Sequence, residues 1–391
     1  MKPLINPLKF YDSEEMIDLS LRTSRGFLIE AHLADLHFTA FDPKLQFQIL
    51  EEQIARQLEN LPRLDILSIN GDIFDHKIMS NSEGALYATL FIDRLVGICR
   101  AKNTTMVLIH GTYQHDADQL KLFYHYLQDP TVDIRIVTTI QFEYIKGAKI
   151  LCIPELYGLD ESIYRSFLFE SGIYDGVFMH GTIKGAIYGD HVGNGRLFTI
   201  EDFCKCRGPI VSGHVHKSGC FNTYFYYCGT PYRYKHGEEE DKGYLIVIRD
   251  LDSGVHYTHF EKTESFRYIT LELDEIISTD PKVVIDYINR VKKEQNIDFL
   301  KIRFKVPIDG ANKTVINSHY RNSQNITVEF FDVAQEAAKK MEAQLSANNE
   351  YSFILDNRYS EEEKFVMYVN AKEGYEFITV DKLREILNED I

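Results

Sequence analysis

What most constrains this chain is a repeated pairing of an apolar, β-rich stretch with an Asp or His cluster at its end. Gly26 to Ala34 runs into Asp35-Leu36-His37, and Leu64 to Asn70 into Gly71-Asp72-Ile73-Phe74-Asp75. Met106 to Ile109 leads to His115-Asp116, Gly176 to Met179 to His180, and Pro209 to Ser212 to Gly213-His214-Val215-His216. Short apolar runs bounded by Gly and Asp read as buried strands. Polar clusters at strand ends then read as a site, because α/β sheets place their chemistry there. Between these runs, Leu45 to Leu61 and Gly84 to Lys102 carry apolar residues at helical spacing, for example Ile49, Ile54 and Leu58. The alternation predicts an α/β body.

After Cys220 the runs Phe221 to Cys228 and Gly243 to Arg249 predict antiparallel strands closing the sheet. Asp252-Ser253-Gly254 reads as a hairpin turn, with His256 to Thr263 as the return strand. A chain of 391 residues, at about 150 residues per domain, holds two main bodies. The first is expected over residues 26–264, preceded by an extension over residues 1–25. A smaller α+β domain is expected over residues 265–391. It would comprise a strand from Phe266 to Leu273, a helix from Asp280 to Gln295 opened by Pro281, and a strand from Phe299 to Val306. A polar turn over Ser318 to Asn322 and a helix from Phe330 to Leu345 complete it.

The formal net charge is −16. That balance argues against nonspecific attraction to nucleic acid over the whole surface, although bound divalent ions would neutralise part of it locally. Six cysteines in a chain of this size make no disulfide framework, and Cys204-Lys205-Cys206 with Cys220 and Cys228 lacks a zinc-ribbon spacing; reduced thiols are expected. No secretory leader and no membrane-length apolar run is read from the sequence, so a cytoplasmic protein is expected, nucleoid-associated or in the host cytoplasm if viral.

Two divalent cations a few Å apart need a bridging carboxylate, further carboxylate and imidazole ligands, and open positions for water and a phosphate oxygen. The clusters supply that inventory. In an extended segment Asp35 and His37 would share a face, as would His214 and His216, and Gly71 would allow a tight exit aiming Asp72 inward. In their order, Asp-x-His, Gly-Asp, a Gly…His-Asp segment, a lone His and Gly-His-x-His, the motifs resemble those of calcineurin-like metallophosphoesterases over residues 26–262. That resemblance implies two sheets flanked by helices, with two divalent ions, manganese foremost. It implies that Asp35, His37, Asp72 and His216 hold one metal, and that Asp72, His180, His214 and an amide hold the other. His180 is preferred for the lone histidine over His191.

The third motif departs from the family, since Gly111-Thr112-Tyr113-Gln114-His115-Asp116 has no asparagine after the glycine. Gln114 is taken as the amide ligand, with Thr112 as the alternative. The resemblance assigns His115 to the scissile phosphate, as a group that stabilises charge or protonates the leaving oxygen, with Asp116 orienting its ring. His76 is placed at the mouth of the site, in contact with substrate.

Tyr227 to Tyr234, followed by Gly237-Glu238-Glu239-Glu240-Asp241-Lys242-Gly243-Tyr244, resembles a segment of SbcD-type DNA-repair nucleases. The implied protein is a metal-dependent exo- or endonuclease subunit acting on DNA in repair, recombination or replication. Its implied partner is an SbcC-like ATPase, in a heterotetramer built on a homodimer, and the C-terminal domain would cap DNA. The alternatives are a phosphatase or phosphodiesterase on a small or protein-bound phosphoester, and a noncatalytic DNA-end-binding scaffold subunit.

Overall fold

The computed structural model describes residues 26–331 apart from 156–160, 171, 185–186, 189–190, 193–197, 221–223, 239, 265, 276 and 324, together with 360–370 and 379. The extension at residues 1–25 lies outside the described residues, as does the helix expected from Phe330 to Leu345 beyond its first two residues, which are not helical. The described chain falls into two compact units. The first runs to Ile269 and takes in Gln295–Phe299; the second comprises Thr270–Glu294 and the chain from Leu300 onward.

The first unit contains β1 (Phe27–Leu33), β2 (Ile66–Asn70), β3 (Thr105–Ile109), β4 (Asp133–Val137), β5 (Gln141–Ile145), β6 (Ala148–Ile153) and β7 (Gly176–His180). There follow the two-residue strands β8 (Ile187–Tyr188) and β9 (His191–Val192), then β10 (Ile210–Gly213), β11 (Gly219–Cys220), β12 (Phe225–Tyr227), β13 (Lys242–Asp250) and β14 (His256–Thr263). They build two six-stranded sheets, ordered β14-β13-β1-β2-β3-β4 and β11-β12-β10-β7-β6-β5. In the first, β1 to β4 are parallel neighbours and β13 and β14 add an antiparallel edge. In the second, β6, β7, β10 and β12 are parallel, with β5 and β11 antiparallel at the edges. The expectation for β12 is corrected here, because it runs parallel to β10 and antiparallel only to the short β11.

Strand alternation divides the core into layers. Ile29, Ala31 and Leu33 of β1 pack on the helical side with Leu50, Ile54, Leu58, Phe91, Ile92 and Leu95. Leu28 of β1 packs instead with Ile66, Val107, Ile150 and Phe178, joining β1, β2 and β3 of one sheet to β6 and β7 of the other. On the far side of the second sheet, Leu151, Val177, Ile210 and Phe225 meet Tyr164, Leu168 and Phe203. The result is helices, sheet, sheet, helices. On the outer face of the first sheet lie α1 (Pro43–Leu50), which continues through a π-helical stretch, Glu51–Ala55, and the helix Arg56–Asn60, and α2 (Glu83–Lys102). Asp42 caps the first through Leu45 N–H and Ser82 caps the second through Ala85 N–H, so both helices start where a side-chain oxygen meets an orphan donor.

The face of β1 turned to the second sheet also carries Glu30 and His32, both fully buried. Arg249 of β13 places Nε 2.8 Å from Glu30 Oε1 and donates from Nη2 to Oε2 at 2.9 Å, while His32 bonds Glu30 at 3.1 Å and Ser68 at 2.6 Å. The guanidinium also donates to the Asp175 carbonyl, at the start of β7. Burial alone would push the Glu30 carboxyl up; Arg249 and His32 outweigh it and hold it below the usual carboxylate range. The ion pair lies within the first sheet, and the Arg249 hydrogen bond to the Asp175 carbonyl links it to the second.

β15 (Tyr268–Leu273), β16 (Phe299–Phe304) and β17 (Ile326–Glu329), the larger part of which belongs to the second unit, form a three-stranded sheet in that order, β16 and β17 parallel. Helix α3 (Pro281–Glu294) buries Val284, Ile285 and Ile288, and α4 (Gly310–Tyr320) buries Ile316 and Tyr320. The polar turn expected over Ser318 to Asn322 is corrected in part, because α4 runs on to Tyr320 and the turn falls at Arg321 and Asn322. Asp309 caps that helix through Asn312 N–H at 2.9 Å, and the buried pair at i and i+4 anchors it despite its polar composition. No helix among the described residues is long and apolar enough to cross a membrane.

Arg249→Met is expected to destabilise the fold by about 3–5 kcal/mol, because it leaves the Glu30 carboxylate buried without its cation. Urea unfolding measures this, and a midpoint equal to wild type would show the network to be dispensable.

Candidate metal centre

The strand ends converge through unusual backbone. Asp35, His37, Asp72 and His214 have φ of 53°, 45°, 53° and 80°, so the expected extended geometry is corrected: left-handed turns aim these side chains. Such conformations cost on the order of 1–3 kcal/mol each and persist only where surrounding structure imposes them. Here it does. Asp35 N–H bonds the Gly71 carbonyl at 3.0 Å, His37 N–H the Asp72 carbonyl at 3.0 Å, and Phe38 N–H the Ile73 carbonyl at 2.8 Å, lacing the loop after β1 to the loop after β2. Gly71, at φ 85°, permits the turn, and a Cβ there would sit 2.2 Å from His180 Nδ1.

Three sets of ligand atoms result, Asp35/His37/His216, His37/Asp72/His115 and Asp72/His180/His214, each within 4.8 Å of one another. Asp72 and His37 each belong to two of them. His37 Nε2 and His216 Nε2 lie 3.2 Å apart, and His180 Nε2 lies 3.2 Å from Asp72 Oδ2. Neighbouring ligands each about 2.0–2.2 Å from one ion stand at separations of this order.

Second contacts set the rings. His180 Nδ1 donates to the Asn70 carbonyl at 2.7 Å, which turns Nε2 to Asp72. His216 Nδ1 meets the buried Glu238 carboxylate at 2.9 Å. The Asp35 carboxylate accepts His214 N–H at 3.0 Å. A carboxylate or carbonyl on the outer nitrogen fixes the tautomer that leaves the inner nitrogen free to ligate. Burial works against a charged His180, but Asp72, Asp35 and Glu155 outweigh it and hold its pKa well above the ordinary value. Burial and the His216 ring push His37 well below its own. Burial would raise Asp72, yet His180, then His37 and His115, hold its carboxyl below the usual range. The carboxylates around His180 therefore favour a cation there, a proton on the ring or a metal ion in its place.

The third motif departs from expectation. Gln114 is exposed, in the helical turn Tyr113–Asp116. Thr112 is the residue that enters the site: its N–H donates to Asp72 Oδ1 at 2.6 Å, and its hydroxyl lies 3.2 Å from Asp72 Oδ2, 3.0 Å from Glu155 Oε2 and 3.4 Å from His180 Nε2. Asp116 does not orient His115. Its buried carboxylate accepts N–H from Asp72, Ile73, Phe74 and Gly111, at 3.0, 2.9, 3.3 and 2.8 Å, and burial with the Asp72 charge pushes its pKa up to about 6. The His115 ring is held instead through Nδ1 on the Asp75 carbonyl. His76 is exposed, bonded to Asp75 and Thr39 at 3.2 and 3.3 Å, and joins none of the three sets. Nothing is described of the His191 side chain.

Two further glycines leave room for these contacts. A Cβ on Gly111 would stand 2.2 Å from Asp72 N and Oδ1, and one on Gly213 2.1 Å from the Asn70 carbonyl.

Glu155 escaped the sequence reading. It follows β6, a strand also missed, yet Ile150-Leu151-Cys152-Ile153 before Pro154-Glu155 carries the same signal as the other clusters. Glu238 lay within a quoted segment whose contact with His216 no spacing revealed. That segment folds against the site: Tyr234 Oη is 2.9 Å from His216 Nδ1, and the buried Lys242 ammonium donates to the His216 carbonyl at 3.0 Å and Glu240 at 2.8 Å.

The donor set fits divalent metal ions. Imidazoles and carboxylates suit manganese or zinc. Two buried nitrogens, His37 Nδ1 and His214 Nδ1, have no hydrogen-bond partner. The latter lies 3.0 Å from Glu155 Oε2 without the alignment of a hydrogen bond.

No family model matches the chain, and no curated protein does. A solved crystal structure aligns with 60% of this chain and 99% of its own at 13% identity, with a TM-score of 0.37. A likeness this distant leaves fold and site to be read from the chain itself.

Gln114→Leu is expected to leave manganese affinity unchanged, since that side chain points to solvent rather than to the ligand sets. Superimposable manganese titrations are the expected result; a weakened transition would return Gln114 to the site.

Proposed function

We propose that this protein is a two-metal phosphodiesterase of the calcineurin-like kind, and a DNA nuclease subunit similar to SbcD. The observation that carries the proposal is the shared position of Asp72, which groups with His180 and His214 on one side and on the other adjoins His37, itself grouped with Asp35 and His216. A carboxylate between two ligand sets is what a bridged metal pair requires. Asp35, His37, Asp72 and His216 would hold one ion and Asp72, His180 and His214 the other. When bound, the pair supplies Lewis acidity to a phosphoryl oxygen and a lowered pKa to water.

The chain's own groups do the rest. Asn70 and Glu238 keep His180 and His216 in ligating orientation. His115, with Nδ1 on the Asp75 carbonyl, keeps Nε2 for a proton that it can give to the departing sugar oxygen. His76, exposed beside Asp75, is available to substrate. The DNA assignment draws support from the Tyr232 to Tyr244 segment, which packs on His216 as a built part of the site rather than as a solvated acidic loop. With a net charge of −16, much of the cationic DNA surface would come from a partner, here an SbcC-like ATPase, with the protein itself as a homodimer. The second unit would cap DNA.

Asp72→Ala is expected to abolish manganese-dependent hydrolysis of DNA while the chain still folds; wild-type turnover in that variant contradicts the bridged pair. Comparing DNA with a small aryl phosphodiester separates the nuclease from a small-substrate phosphodiesterase. For His115→Asn the expectation is a rate lower by about 10²–10⁴ at unchanged metal content. Loss of one manganese per chain would make His115 a ligand instead.

A further inference from the structure

We infer that Glu155 is the oxygen ligand of the second metal position, in the place the third motif fails to fill, and that Thr112 positions it. The inference rests on the two-metal reading above. Glu155 Oε2 lies 3.0 Å from His214 Nδ1 and 3.5 Å from His180 Nε2, the two imidazoles grouped with Asp72. The His214 contact lacks the geometry of a hydrogen bond. His214 Nδ1 is buried without a hydrogen-bond partner although Glu155 is so close. Donor atoms at such separations, with His214 Nδ1 making no hydrogen bond, are arranged as ligands to one ion.

The backbone brings Glu155 there by an independent route. Its N–H bonds the His110 carbonyl at 3.3 Å, joining the loop after β6 to the loop after β3. The Thr112 hydroxyl lies 3.0 Å from Glu155 Oε2 and 3.2 Å from Asp72 Oδ2. It has one proton, so it serves one carboxylate at a time and keeps both at a fixed spacing. A side chain as short as threonine, with its N–H on Asp72, leaves room for a carboxylate from another strand end; Gln114 faces outward.

The exchange changes the chemistry of the position. Where the resemblance calls for a neutral amide oxygen, this chain offers an anionic one. A second carboxylate strengthens binding of hard divalent ions such as manganese and magnesium relative to an amide. It also makes that position more negative by one charge, which raises the share of affinity that comes from Coulombic attraction and is screened only weakly in a buried site.

The test is manganese binding to the full-length protein by calorimetry, with electron paramagnetic resonance of the bound ions as a readout independent of activity. Wild type is expected to bind two manganese ions giving a spin-coupled spectrum. Glu155→Ala should weaken the second ion by at least about tenfold, and the spectrum should become that of an isolated ion. Glu155→Gln, nearly the same in shape and able to fold as wild type does, should retain an oxygen and fall between the two. Thr112→Val should weaken the second ion less than Glu155→Ala does. If both Glu155 variants bind two coupled ions with wild-type affinity, the Glu155 assignment is overturned while the two-metal reading stands. If wild type itself binds fewer than two ions, the two-metal reading fails and the assignment fails with it.

Discussion

The site depends on one buried carboxylate outside the three ligand groups. Asp116 gathers the backbone N–H groups of Asp72, Ile73, Phe74 and Gly111, and so fixes the loop after β2 to the loop after β3. Without it the left-handed turn at Asp72 would lack its main restraint, and backbone donors would be buried with no acceptor, at about 1–3 kcal/mol each. Through Asp72 the restraint passes to the loop after β1, whose N–H groups bond the carbonyls of residues 71 to 73. Strain at Asp35, His37, Asp72 and His214 is therefore held by hydrogen bonds among loops, on strands that are themselves fully paired.

Each sheet contributes half of the candidate centre. Asp35, His37 and Asp72 leave strands of one sheet, and Glu155, His180, His214 and His216 leave strands of the other. Metal ions bound by both halves would cross-link the sheets where the inter-sheet core ends, as the Arg249 guanidinium does within it by its hydrogen bond to the Asp175 carbonyl. Binding energy at such a site is also folding energy, because the unfolded chain has no preformed ligand set.

Much of this was legible in the sequence, for physical reasons. Buried parallel strands read as continuous apolar runs, so β1, β2, β3, β7 and β10 were visible together with the clusters at their ends. The candidate ligands Asp35, His37, Asp72, His180, His214 and His216 came from the order of the motifs and the resemblance that order carries, and the structure groups them. The turn conformations did not, since alternation along an extended strand gives the same partners for Asp35 and His37 by a different geometry. Strands β4 and β5 were missed because half-exposed runs such as Asp133–Val137 mix charge with apolar residues, whereas β6 was passed over although Ile150 to Ile153 is a continuous apolar run. With β6 unread, Glu155 had no strand end to mark it, and the search for an oxygen donor stayed local and fell on Gln114. Asp116 was misread for the same reason: a carboxylate beside a histidine in sequence suggests that it orients the ring, but its backbone donors come from residues far along the chain.

The account stands on two cations sharing Asp72. Anomalous diffraction from manganese-soaked crystals at the metal's absorption edge tests it most directly. Two peaks are predicted on either side of the Asp72 carboxylate, one among Asp35, His37 and His216 and the other among His180, His214 and Glu155. A single peak, or peaks that do not adjoin Asp72, would contradict it.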